Sequence, residues 1–137
     1  MAGYSGKPLS QKLGIQSGVC VALLRPPEDF SQTLGELPEG VTLHEGMPRQ
    51  RKPDVVVWFV LRRAEFESRL QGIRRRMAPA TALWVAWPKK ASGVATDMTE
   101  NAIREVALPT GLVDNKVCAI DETWSGLRLV IRLEHRR

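Results

Sequence analysis

The chain predicts an α/β three-layer sandwich built on one mostly parallel sheet. Three observations carry this. The apolar runs at residues 19–24, 55–61 and 82–87 are continuous rather than alternating, as in strands buried on both faces. Stretches with helical spacing separate them, so the elements alternate β-α-β-β-α-β-α-β-β. The last run, 127–133, sets Leu127, Leu129, Ile131 and Leu133 against Arg128 and Arg132, the pattern of a margin strand with one wet face.

Each element follows from local chemistry. Residues 8–13 read as a short helix, followed by the turn Gly14-Ile15-Gln16-Ser17-Gly18. The first strand, 19–24, is stopped by Pro26-Pro27, and 28–37 forms a crossover helix closed by Pro38 and Gly40. A short second strand, 41–45, leads into a basic, proline-bounded loop at 47–53. Strand 55–61 precedes a helix at 64–77 with Phe66, Leu70 and Ile73 at i, i+4 and i+7. Its last turn carries Arg74-Arg75-Arg76, which complements the helix dipole. In strand 82–87, Trp84 and Trp87 are three apart and so face opposite sides of the sheet. Asp97 and Glu100 read as a capping pair for a helix reaching about Leu108. Residues 112–113 and 116–120 make a fifth strand, and 121–126 a turn-rich link to the sixth. With no helix between them, the last two strands form an antiparallel hairpin, since a parallel pair needs a long crossover.

Composition bounds the class. With 137 residues, 43% hydrophobic and 26% charged, the chain fits a single globular domain spanning 1–137. No apolar run approaches the ~20 residues that span a bilayer, and the N-terminus lacks a basic segment followed by an apolar one. Cys20 and Cys118 sit in apolar runs without metal or redox spacing, which points to reduced thiols and a cytoplasmic protein. His44 and His135 are too isolated to form a metal site. The net charge of +5 permits attraction of anions.

The richest stretch for function runs from Trp84 to Glu100. An apolar strand stops at Pro88, and Lys89-Lys90-Ala91-Ser92-Gly93 follow before a helix start. Unsatisfied N–H groups and the partial positive charge of a helix N-terminus favour an anion at such a junction. Ligands of open α/β sheets bind at the carboxyl ends of the strands. That edge receives Arg25-Pro26-Pro27-Glu28, Arg62-Arg63, Lys89-Lys90 and the link 121–126. The candidate ligand-binding set is therefore Lys89, Lys90, Ser92, Thr96, Asp121, Glu122 and Trp124, with Trp124 as an aromatic plate. Asp121-Glu122 reads as a solvated turn pair, with neither a nucleophile nor a histidine beside it. The clusters Arg49-Gln50-Arg51-Lys52 and Arg74-Arg75-Arg76 lack the interleaved aromatics of a single-strand nucleic-acid binder.

Two resemblances add to this. The order of elements, and the approach Leu13-Gly14-Ile15-Gln16-Ser17-Gly18-Val19-Cys20-Val21-Ala22-Leu23-Leu24, resemble a trimmed S-adenosylmethionine-dependent methyltransferase core. That likeness implies a Rossmann-like sandwich with sheet order 2-1-3-4-6-5 and an antiparallel last strand. It also implies a Gly-rich loop after the first strand, where this chain has Arg25-Pro26-Pro27-Glu28-Asp29, and a carboxylate ending the second strand, for which Glu45 is the candidate. Residues 84–130 are similar to the bacterial family known as domain of unknown function 3052. The shared pattern is a Trp-rich strand ending in Pro88-Lys89, then Trp124-Ser125-Gly126-Leu127-Arg128-Leu129-Val130. The start, Tyr4-Ser5-Gly6-Lys7-Pro8-Leu9 with Lys12-Leu13-Gly14-Ile15, resembles the same family. This second likeness brings a fold and no activity.

The expectation is a non-catalytic module that binds a phosphate- or nucleotide-like small molecule at the strand carboxyl edge. The alternatives are a nucleic-acid- or protein-interaction protein using its basic surface, and a degenerate methyltransferase-like enzyme. No cofactor is specified by the residues.

Overall fold

The computed structural model describes residues 7–135, so Tyr4, Ser5 and Gly6 of the N-terminal motif lie outside the described residues. Strands β1 (Cys20–Leu24), β2 (Thr42–Glu45), β3 (Val55–Phe59), β4 (Ala82–Pro88), β5 (Leu112–Ala119) and β6 (Trp124–Ile131) form one sheet in the order β2-β1-β3-β4-β6-β5. The first four are parallel, and β6 runs antiparallel to both β4 and β5. The expected order therefore holds, including the reversed last strand, but β6 lies between β4 and β5 rather than at the sheet margin, which β5 forms on that side.

Strand alternation divides the core into two layers. Val55, Val57 and Phe59 face helices α1 (Leu9–Lys12) and α2 (Phe30–Leu34), where Leu13, Ile15, Phe30 and Leu34 are buried. Val56, Trp58 and Val60 face α3 (Arg63–Arg75) and α4 (Glu100–Ala107), where Phe66, Leu70, Ile73 and Ile103 are buried. Burying a side chain of that size contributes about 1.5–3 kcal/mol, so packing rather than intrinsic propensity holds α3 in place. Trp84 and Trp87 fall in opposite layers as the spacing requires. The Trp84 indole N–H donates to the Leu13 carbonyl at 3.0 Å, which ties the N-terminal turn to the middle of the sheet. Gly126 lets β6 pass over this ring: a Cβ there would lie 3.2 Å from Trp84 Cε3 and 3.2 Å from Ile120 Cδ1.

Four local expectations need correction. The helix expected over 28–37 is only α2, five residues long, and Gly35 turns the chain out of it at φ 73°. β5 is continuous through 114–116, where a register shift replaces the expected break. β6 begins at Trp124, so Trp124, Ser125 and Gly126 are strand rather than loop, paired with Pro88, Trp87 and Ala86 of β4. Asp97 and Glu100 do not form a capping pair. Thr99 is the N-cap of α4, its hydroxyl accepting from Ala102 N–H at 3.0 Å. Asp97 instead accepts from Arg63 N–H at 2.7 Å and so satisfies the first turn of α3, a different helix.

Candidate functional site

Two groups of residues stand at the carboxyl edge. The first joins the end of β4 to the β5–β6 turn. Lys89 N–H donates to the Thr123 carbonyl at 2.7 Å, and its ammonium donates to the Asp121 carbonyl at 2.7 Å. Asp121 Oδ1 accepts the N–H groups of Thr123 and Trp124, each at 2.8 Å, a side-chain turn that shapes the hairpin. The Ser92 hydroxyl donates to the Lys89 carbonyl at 2.7 Å, and Gly93 follows with φ 77°. Trp124 is half-buried, its ring edge-on to Phe59 at 5.0 Å, and Phe59 meets Phe30 at 4.8 Å. The structure thus brings Lys89, Ser92, Asp121 and Trp124 together, with most of their polar atoms turned on one another. Thr96 lies apart from them; its hydroxyl donates to the Leu61 carbonyl and accepts from Met98 N–H. Lys90 and Glu122 are exposed.

Asp121 and Glu122 also line a groove of about 1100 Å³ against α1 and α2. Its rim holds Asp29, Glu36, Asp121 and Glu122 against Lys7 and Lys12, so its field repels anions.

The second group surrounds a crevice of about 570 Å³ at the ends of β1, β2 and β3, within the usual range for small-molecule sites. Here the strand order reverses, since β1 leads outward to β2 and β3 leads the other way to β4. Leu23, Leu24, Trp58 and Ile73 supply an apolar lining, and Arg25, Glu45 and Arg69 supply charge. Arg25 has φ 56°, the one described non-glycine residue in left-handed backbone, at a cost of about 1–2 kcal/mol. The proline pair behind it cannot take up that turn, because the ring fixes φ near −65°. Arg25 lies 3.0 Å from Glu65, an ion pair between an exposed guanidinium and a half-buried carboxylate. Arg69 is exposed and makes no ion pair among the described residues.

Sequence reasoning noted Arg25 and Glu45 but missed Arg69 and Trp58, which sit inside ordinary helical and strand patterns. A usable signal was the spacing: Glu45 follows Arg25 by about 20 residues, the interval at which nucleotide-binding α/β units place a ribose-binding carboxylate.

Other charged groups are committed to structure. Donating to the Glu67 and Glu105 carboxylates raises the Arg63 pKa, and donating to Asp114 and Glu100 raises that of Arg104, so both stay cationic. Burial pushes the Cys118 thiol up, against the pull of Lys12 and Lys116, which opposes thiolate chemistry. Cys20 is buried and unbridged. Among the described residues, no group of three His, Cys, Asp or Glu side chains could hold a metal ion, and no helix is long and apolar enough to cross a membrane.

The family described as "Protein of unknown function (DUF3052)" matches residues 10–133. The chain belongs to this family. No curated protein is significantly similar in sequence. Solved structures are similar in fold. One is DhpI in complex with SAH, at 12% identity over 91% of this chain and 82% of that one, with a TM-score of 0.62. A SAM-dependent methyltransferase from Aquifex aeolicus has 12% identity over 88% of this chain and 86% of that one, with a TM-score of 0.61. Magnesium protoporphyrin IX methyltransferase (ChlM) from Synechocystis PCC 6803 with bound SAM has 11% identity over 90% and 74%, with a TM-score of 0.54. At these identities the likeness establishes a methyltransferase-like, Rossmann-like fold for this DUF3052 chain.

Proposed function

We propose that this DUF3052 protein is a non-catalytic module that binds a nucleotide-like anion in the crevice at the ends of β1, β2 and β3. The observation that carries the reading is Arg25, held in left-handed backbone at the mouth of that crevice. Strain of this kind persists where function uses it. In this reading Arg25 and Arg69 take the phosphate, Glu45 accepts from the ribose hydroxyls, and the ring lies on Leu23, Leu24 and Ile73. With Arg25 paired to Glu65, the exposed Arg69 is the cation at the crevice without a carboxylate partner among the described residues, and it favours an anion over the sulfonium of S-adenosylmethionine. No described residue lining the crevice is an activated nucleophile or a histidine base.

The methyltransferase-like fold supports one further reading, a degenerate transferase that binds S-adenosylmethionine in the same crevice. A thermal-shift panel separates the two. ADP at about 100 times Kd should stabilise the protein by about 2.7 kcal/mol. Glu45→Gln and Arg69→Ala should remove the shift, while Lys90→Ala keeps it. A shift with S-adenosylmethionine and none with ADP would overturn the proposal in favour of the transferase.

A further inference from the structure

Two basic segments far apart in the sequence, 47–54 and 74–77, form one surface. Arg76 Nη2 donates to the Pro48 carbonyl at 2.8 Å, fastening the β2–β3 link to the C-terminal end of α3. Met47 packs against the same core layer as α3, which sets the link alongside the helix. Together the segments carry Arg49, Arg51, Lys52, Arg74, Arg75 and Arg76 against the one carboxylate of Asp54. That excess equals the net charge of +5 on the whole chain, so the remaining residues are neutral on balance and the charge is concentrated here.

The pairing pattern agrees. Elsewhere Arg63, Arg104 and Arg25 have carboxylate partners. Within the patch only Arg51 has one, Asp54 at 2.8 Å, and the same oxygen also accepts from Cys20 N–H. Arg74 and Arg76 donate to the carbonyls of Thr110 and Pro48. Arg49, Lys52 and Arg75 are exposed and make no ion pair among the described residues. Compensation of a helix C-terminus accounts for Arg74, Arg75 and Arg76 alone, and leaves Arg49 and Lys52 of the separate link without a structural role.

We infer that this surface binds the phosphate backbone of a nucleic-acid duplex without reading its bases. Phosphate contact needs only cationic and hydrogen-bonding groups, which the patch has. A specific protein partner wants an aromatic or apolar anchor, and a membrane surface wants apolar groups to insert. None of the exposed large apolar residues falls in either segment. Neither segment holds an aromatic ring, so a single strand would gain no base stacking and the double helix is favoured.

Fluorescence anisotropy of a labelled, mixed-sequence DNA duplex with the full chain tests this. With about four phosphates contacted, affinity should fall on the order of 100-fold between roughly 50 and 200 mM salt. The variant carrying Arg49→Glu, Lys52→Glu and Arg75→Glu should lose binding while circular dichroism and melting temperature stay unchanged. Lys116→Glu, on the far edge strand β5, should bind as the parent does. No binding at low salt, salt-insensitive binding, or equal loss with Lys116→Glu would overturn the inference. So would polyglutamate, or vesicles of anionic lipid, competing as well as unlabelled duplex at equal charge.

Discussion

Lys89 and Asp121 illustrate how a pair of charged residues at a sheet edge can serve the chain itself. The ammonium of Lys89 donates to a carbonyl of the opposite loop, and the Asp121 carboxylate holds two N–H groups of its own turn. Hydrogen bonds involving a charged group contribute about 1.5–3 kcal/mol, so Asp121→Ala should lower stability by about that amount in urea titrations. Asp121→Asn, whose amide oxygen can accept the same two bonds, should recover most of it. Equal loss in both variants would mean that the carboxylate charge, and not its geometry, matters. Arg25 behaves in the opposite sense. Arg25→Gly removes left-handed strain of about 1–2 kcal/mol, adds unfolded-state entropy of about 0.5–1 kcal/mol and takes the partner from the half-buried Glu65, so stability should hold or fall slightly. Nucleotide affinity should fall. A variant that keeps affinity would remove Arg25 from the site.

At the scale of elements, the helix caps are what the sequence concealed. Asp97 and Glu100 have the spacing of a capping pair, yet Asp97 caps α3 across the fold while Thr99 caps α4. Local spacing cannot reveal a cap delivered by a residue 34 positions away. Hydrogen exchange distinguishes the two arrangements. Asp97→Ala should speed exchange at the Arg63 amide and Thr99→Ala at the Ala102 amide, each costing about 1 kcal/mol. If Asp97→Ala exposed Ala102 instead, the assignment would be reversed. Trp124 shows the same limit. Ser125 and Gly126 read as turn residues, but pairing on both sides, to β4 and β5, draws them into β6. The strands with continuous apolar runs were legible because burial on both faces leaves a signature in the residues alone, and α3 because its apolar positions repeat.

For the molecule as a whole, the antiparallel hairpin of β5 and β6 was legible from the missing helix between them, and the sheet order came from the resemblance to a methyltransferase core. The candidate site was legible only as an edge. The sequence placed the Arg25, Lys89 and 121–126 segments at the carboxyl ends, and the structure separates them into an interlocked pair at β4 and β6 and an open crevice at β1, β2 and β3. The difference lies in which polar atoms find partners, and that depends on contacts between segments far apart in the chain. The charge follows the same logic, since two basic runs become one surface only through the contact of Arg76 with Pro48. The most direct test of the account is an amide chemical-shift titration of the isotope-labelled protein with ADP. Shifts should concentrate at Arg25, Glu45, Gly46 and Arg69. Shifts confined to Lys89, Lys90, Ser92 and the Asp121–Thr123 turn, or none at saturating ADP, would contradict it.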